Sequence, residues 1–153
     1  MSNQLIKDRK PVTNKIRIDD GSKVYDIENR RGETIGQFVF TPSDMGIVER
    51  YEHTIEVLNS MQDRLKKREN DDNVLQLKKE VEEELKNEID YLYNADVSGA
   101  FFKKISPLSP LESGELYVEN IIYAVRDIVE KETGKRLGRA NNRASKYTQK
   151  YRK

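Results

Sequence analysis

Apolar residues recur at helical spacing in two adjacent segments, 42–68 and 73–93, and this pattern restricts the fold more than any other feature of the sequence. Residues three and four positions apart lie on one face of a helix, so each segment is predicted to form an amphipathic helix. Asn70, Asp71 and Asp72 favour a break between them and a new helix start. Two such helices are expected to pack antiparallel. The apolar stripes contain Ile47, Tyr51, Ile55, Leu58 and Leu65 in the first segment and Val74, Leu77, Val81, Leu85, Ile89 and Leu92 in the second.

The region before the helices is predicted to form a small antiparallel sheet. Residues 1–13 are polar and aperiodic and are expected to be a flexible lead. Strand-like runs follow at 15–18, 23–28 and 34–40, separated by turn-forming residues, and together they predict a three-stranded meander. So small a sheet needs an apolar cover, which the following helix can supply. Thr41 is the expected N-cap of that helix, with Pro42 at its first helical position.

The remainder of the body is predicted to be helical, with one interruption. A short apolar run at 97–105 is followed by Ser106–Leu111, where two prolines exclude a continuous helix. A third long helix is expected from about Glu115 to Thr133, with Gly134 placed to end it. The fold class is therefore α+β and mainly α, as a single domain over residues 14–134.

Residues 135–153 differ in charge from the rest of the chain. They carry eight basic side chains and no acidic one, whereas residues 1–134 carry 20 basic and 27 acidic side chains. If the segment is helical, it presents a cationic stripe beside an aromatic stripe, and we predict that it is a basic arm that binds a partner. The alternative is a solvated tail without a function. The predicted partner-binding residues are Arg139, Arg143, Lys146 and Lys150 in the cationic stripe and Tyr147 and Tyr151 in the aromatic stripe.

The acidic body decides which partners suit the basic arm. Lysine and arginine neutralise phosphates, but a body with a net charge near −7 repels nucleic acid, so a nucleic-acid partner is disfavoured. An acidic protein helix is a better match. Residues 69–90 carry nine acids and three lysines, so the arm of one copy could also contact a second copy and build a homo-oligomer.

The residue inventory argues against catalysis. The chain has no cysteine, and His53 is its single histidine, so no catalytic group and no metal site is predicted. Neither a GxGxxG nor a GxxxxGK[ST] motif occurs, and no cofactor is expected. No stretch resembles a signal peptide or a membrane span, which predicts an intracellular protein away from the membrane. The function class expected is therefore not an enzyme.

Phe101 and Phe102 are the aromatic candidates for partner contact within the body. Adjacent aromatic residues do not both face one core on a regular element, so one ring could anchor a partner. The alternative is that both rings are buried where the loop closes over the helical hairpin.

The order of segments resembles the tail assembly chaperones of long-tailed phages and prophages of Gram-positive bacteria. The likeness is carried by Tyr25 and Ile27, by the joint at 40–44 followed by Tyr51, by residues 96–102 leading into 106–110, and by residues 146–151. The resemblance implies a mainly helical, non-enzymatic chaperone in the host cytoplasm. It would bind the tape-measure protein, or another helical tail protein, during tail-tube assembly and be absent from the mature virion.

Two other functions remain open from the sequence. One is a phage structural adaptor that forms a homo-oligomer and stays in the particle. The other is a nucleic-acid-binding regulator that acts through residues 139–153, whose affinity would fall steeply with salt.

Overall fold

The computed structural model describes residues 12–134 and Leu137, and it confirms the mainly helical α+β class. Two strands are followed by four helices. In chain order these are β1 (Lys23–Glu28), β2 (Thr34–Phe40), α1 (Ile47–Lys67), α2 (Val74–Tyr93), α3 (Ser98–Phe101) and α4 (Tyr117–Thr133).

The two strands form an antiparallel hairpin with one apolar face. Tyr25 pairs with Phe38, and Lys23 pairs with Phe40. In the turn, the side-chain oxygen of Asn29 accepts hydrogen bonds from the backbone N–H groups of Arg31 and Glu33 at 2.9 and 3.0 Å. Phe38 and Phe40 are buried, so the inner face of the hairpin supplies aromatic rings to the core.

The prediction of a third strand at 15–18 is wrong. The described sheet has two strands, and every residue from 12 to 20 is exposed. The carboxylates of Asp19 and Asp20 instead accept hydrogen bonds from the N–H groups of Gly21 and Ser22, each at 2.9 Å. These local turns take the place of a chain reversal that would lay residues 15–18 beside β1.

Helix α1 begins five residues later than the sequence predicted. Thr41 is not its N-cap, because the Asp44 N–H donates to the Thr41 carbonyl at 3.3 Å and forms a turn first. The Asp44 carboxylate then accepts from the Gly46 N–H at 3.0 Å and pairs with Arg50 at 3.0 Å. The N-cap position is Gly46, which has no side-chain cap, and Asp44 instead binds the Gly46 N–H and Arg50 just before the helix; Pro42 lies outside the helix.

The antiparallel helical hairpin is confirmed. Residues later in α1 contact residues earlier in α2, as expected for antiparallel helices. Arg50 contacts Leu92, His53 contacts Glu88, and Arg64 contacts Glu84. Ile55, Leu65 and Val74 are half-buried, whereas the other members of the predicted stripes are buried. Those buried members are Ile47, Tyr51 and Leu58 of α1 and Leu77, Val81, Leu85, Ile89 and Leu92 of α2.

Helix α4 completes the core and ends as predicted. Its buried residues include Val118, Ile122 and Val125. Gly134 adopts a left-handed conformation with φ 69°, and its N–H donates to the Glu130 carbonyl at 3.0 Å. Leu137 also belongs to the core.

Candidate partner-binding surface

Phe101 and Phe102 lie in the core, 8% and 9% exposed, so the interpretation that buries both rings is the correct one. The ring of Phe101 is 5.4 Å from those of Phe38 and Tyr93, and Phe102 packs edge-on against Tyr117 at 5.8 Å. Both can be buried because α3 ends between them, so the spacing of a regular helix does not apply. In this fold neither ring is presented to a partner.

The short helix α3 is held in place by Asp90 of α2. The Asp90 carboxylate accepts from the backbone N–H groups of Val97 and Ser98 at 2.8 and 2.7 Å and from the Ser98 hydroxyl at 2.8 Å. At the other end of α3, the Tyr117 hydroxyl donates to the Phe101 carbonyl at 2.8 Å. The segment 96–102, which contributes to the family resemblance, is thus a structural joint between the sheet and the helices.

The six arm residues predicted to contact a partner lie outside the described residues. These are Arg139, Arg143, Lys146, Tyr147, Lys150 and Tyr151. Their role in binding stays a prediction.

The described surface offers a different candidate, a shallow cleft of about 350 Å³ between α1 and α2. Gln62 of α1 donates to Glu119 of α4 at 3.5 Å, and helical geometry places the cleft on the opposite side of α1, away from α4. Val57 and Met61 give the cleft an apolar floor, and polar side chains form its rim. The rim residues are His53, Glu56, Ser60 and Arg64 of α1 and Glu84 of α2.

Cross-helix polar contacts fix the shape of this cleft. Arg64 donates to Glu84 at 2.9 Å across one end. Toward the other end, one oxygen of Glu88 lies 2.6 Å from His53 Nδ1 and accepts from the Thr54 hydroxyl at 3.0 Å. The cleft is therefore a preformed feature of the helical hairpin, with both helices held at defined positions.

Burial argues against nucleophilic catalysis by the cluster of His53, Thr54 and Glu88. A nucleophilic hydroxyl has to reach the substrate as well as donate to a base. The Thr54 hydroxyl donates to the Glu88 carboxylate, but Thr54 is 1% exposed, out of reach of a substrate. The described residues also contain no group of three or more histidine and acidic side chains that could hold a metal ion. The contacts present in the cluster join α1 to α2.

Arg50 positions the start of α1 against the end of α2. Its guanidinium pairs with Asp44 and also donates to the Leu92 carbonyl at 3.2 Å, near the end of α2. The Gly46 N–H bond lowers the pKa of the Asp44 carboxyl below its usual value, and the nearby Arg50 charge contributes. The cleft residues of α1 therefore lie on a helix whose N-terminal end is fixed against the C-terminal end of α2.

The described body is acidic as a whole, whereas the cleft itself is lined by Glu56 and Glu84 together with Arg64. Residues 12–134 carry 17 basic and 26 acidic side chains, a net charge of −9. Glu80 and Glu83 of α2 are exposed, and Glu84, which lines the cleft, pairs with Arg64 at 2.9 Å. A partner that docks here gains from basic side chains next to an apolar one.

Sequence reasoning did not identify the cleft. The helical stripes predicted which residues face the core, but they did not show which outer face of the hairpin is concave. One signal was present: Ser60 is a small residue between Glu56 and Arg64 on one face of α1, where larger side chains would fill the depression.

The chain matches no protein-family model, no curated protein and no solved structure. In the part of the chain that the structure describes, no helix is long and apolar enough to cross a membrane. The resemblance to tail assembly chaperones therefore rests on the sequence layout.

Proposed function

We propose that this protein is a non-enzymatic tail assembly chaperone of a long-tailed phage or prophage. It binds the tape-measure protein, or another helical tail protein, in the host cytoplasm while the tail tube assembles, and it is absent from the mature virion. The observation that carries the binding role is the cleft between α1 and α2, which combines an apolar floor with a charged rim.

The cleft suits an amphipathic helix as the client. An apolar client side chain would lie over Val57 and Met61, and a basic residue flanking it would meet Glu56. A cleft of this size holds one or two side chains, so each contact is weak, and many copies are needed along a long client. Release then requires no ATP, because tail-tube subunits compete for the same client surface.

The same charge distribution disfavours the nucleic-acid alternative for the body. A surface with a net charge of −9 over residues 12–134 repels phosphates. A regulator of that kind would have to bind through residues 139–153 against this repulsion.

The proposal is tested by filling the cleft. Ser60→Trp places an indole in the cleft from an exposed position without changing the core. We expect it to reduce co-purification of the co-expressed tape-measure protein, the longest helix-rich reading frame of the same genome, at least about tenfold, since one blocked apolar contact costs more than about 1.4 kcal/mol. The readout is nuclease-treated co-purification with the mass of the complex from light scattering.

Asn59→Trp is the matched control, because Asn59 is exposed on the same helix and does not line the cleft. It should leave client binding unchanged. Truncation of residues 139–153 measures the contribution of the arm separately. Equal binding by the two tryptophan variants and the unmodified protein would overturn the assignment of the cleft, and the absence of any client complex would overturn the chaperone function.

A further inference from the structure

The segment before β1 has the sequence of a strand but no strand partner in the described structure. Residues 12–20 belong to no strand or helix and are exposed, and Ile16 and Ile18 are 84% and 71% exposed. In an extended chain these two isoleucines share one face, and Lys15 and Arg17 share the other. Such an alternating segment is typical of a strand with one buried face.

One edge of the described sheet is open, the edge of β1 that faces away from β2. Among the described residues β1 pairs with β2 and with no other strand, so the backbone groups on its far edge lack a ladder partner. Tyr25 and Ile27 point to the inner face of β1, where they are half-buried, and Asp26 and Glu28 lie on the exposed outer face. An open edge of this kind is a template for an added strand.

The segment and the edge are complementary in one antiparallel register. With Arg17 opposite Asp26, Lys15 falls opposite Glu28, which forms two ion pairs on the outer face. The same register places Ile16 opposite Ile27 and Ile18 opposite Tyr25, which extends the apolar inner face. A shift by one residue would put both isoleucines on the charged face and lose every one of these contacts.

The described chain does not make these contacts with itself. Gly21 follows the segment with φ 75°, and a Cβ atom at this position would lie 2.7 Å from the Ser43 hydroxyl oxygen. Asp19 and Asp20 form local turns at the same place, and among the described residues this segment forms no ladder with β1. The complementary edge is therefore free to accept the same segment from another molecule.

We propose that residues 14–19 of one copy add as a strand to the β1 edge of a second copy, and that reciprocal exchange closes a symmetric dimer. Each copy donates one strand and accepts one, so a twofold arrangement satisfies both edges. This inference is independent of the proposed chaperone function, because it uses neither the cleft nor the client.

Engineered disulfides test the exchange, since the chain has no cysteine of its own. Opposed residues of antiparallel strands lie about 4.5 to 5.5 Å apart between Cα atoms, within the range that a disulfide spans. An Arg17→Cys variant is mixed with an Asp26→Cys variant under mild oxidation, so that a bond between positions 17 and 26 joins two chains. We expect a covalent dimer with this linkage in most of the protein. A mixture of Lys15→Cys and Val24→Cys is the control, because these positions are four residues out of register, and it should form little cross-link.

Three outcomes would overturn the proposal. The first is that the mixed variants cross-link no more than the control. The second is that the unmodified protein has the mass of a monomer at every concentration. The third is that a single chain carrying both changes forms the disulfide within itself. The last outcome would show that the segment pairs with its own sheet.

Charge reversal supplies a second measurement without cysteine. Arg17→Glu places an acidic side chain opposite the acidic Asp26. The change occurs at both strand pairs of the symmetric dimer, so the dissociation constant of the dimer should rise about tenfold. Adding Asp26→Arg should restore it. Both positions are exposed, and circular dichroism checks that the variants stay folded. A loss of affinity that the second change does not reverse would count against this register.

Discussion

Two tyrosines of the aromatic core differ in how their hydroxyl groups are satisfied. The Tyr93 hydroxyl donates to the Ile121 carbonyl at 3.0 Å, whereas the buried Tyr25 hydroxyl has no hydrogen-bond partner among the described residues. We expect Tyr93→Phe to lower the free energy of unfolding by about 1 kcal/mol, because it removes one buried hydrogen bond, while the Ile121 carbonyl keeps its place in the hydrogen-bond ladder of α4. Tyr25→Phe should be neutral or stabilise by up to about 1 kcal/mol, because it removes a desolvated hydroxyl.

Urea denaturation of the two variants beside the unmodified protein measures both effects. The rings keep their packing in each case, so the comparison isolates the hydroxyl group. Equal losses of stability in the two variants would contradict this difference in hydrogen bonding.

At the scale of elements, the approach of α3 to the sheet depends on Gly36 of β2. A Cβ atom at Gly36 would lie 3.1 Å from the Ala100 Cβ and 3.3 Å from the Ile27 Cδ1. We expect Gly36→Val to separate α3 from β2 and to destabilise the protein by about 1 to 3 kcal/mol through overpacking. The measurement is the free energy of unfolding.

Gly99 of α3 is the matched control for this change. Apart from its chain neighbours and the backbone of its own helix, no described atom lies within 4 Å of the position that its Cβ would take, so Gly99→Ala should be neutral or slightly stabilising in a helical turn. A destabilising effect of Gly99→Ala as large as that of Gly36→Val would show that α3 itself, and not its contact with the sheet, is sensitive.

At the scale of the whole molecule, buried tyrosines make the fold sensitive to alkaline pH. Burial raises the pKa of Tyr51 to about 12, and it also raises the pKa values of Tyr25, Tyr93, Tyr117 and Tyr123 above the usual value of 10.0. In the unfolded chain these groups lose their protons near pH 10, so the folded state binds more protons above that pH. The stability that they contribute is complete below pH 10 and falls as the pH rises through the folded-state values.

We expect the free energy of unfolding to decline from pH 9 to pH 11, by at most about 1.4 kcal/mol per pH unit for each tyrosine that stays protonated in the fold. Urea denaturation at a series of pH values measures the slope, and tyrosinate absorbance follows the ionisation. Tyr51→Phe should make the decline shallower. A flat profile over this range would show that the rings ionise as freely in the fold as in the unfolded chain.

The sequence by itself determined the elements whose information is local and periodic. The stripes of α1, α2 and α4 follow from apolar residues at helical spacing, and Gly134 ends α4 because glycine adopts the left-handed conformation at little cost. The charge division between the body and residues 135–153 is likewise a property of composition, as is the lack of thiol chemistry.

The tertiary structure decided whatever depended on a contact between distant residues. Residues 15–18 stay outside the described sheet, and Gly21, which links them to β1, lies close to Ser43. The start of α1 depended on Asp44 binding Arg50, which also contacts α2. Phe101 and Phe102 were ambiguous in sequence because their burial required Asp90 to hold α3 against the sheet. The cleft could be recognised only from the packing of α1 against α2, because residues of both helices form its concave surface. The apolar periodicity of either helix alone does not predict such a surface.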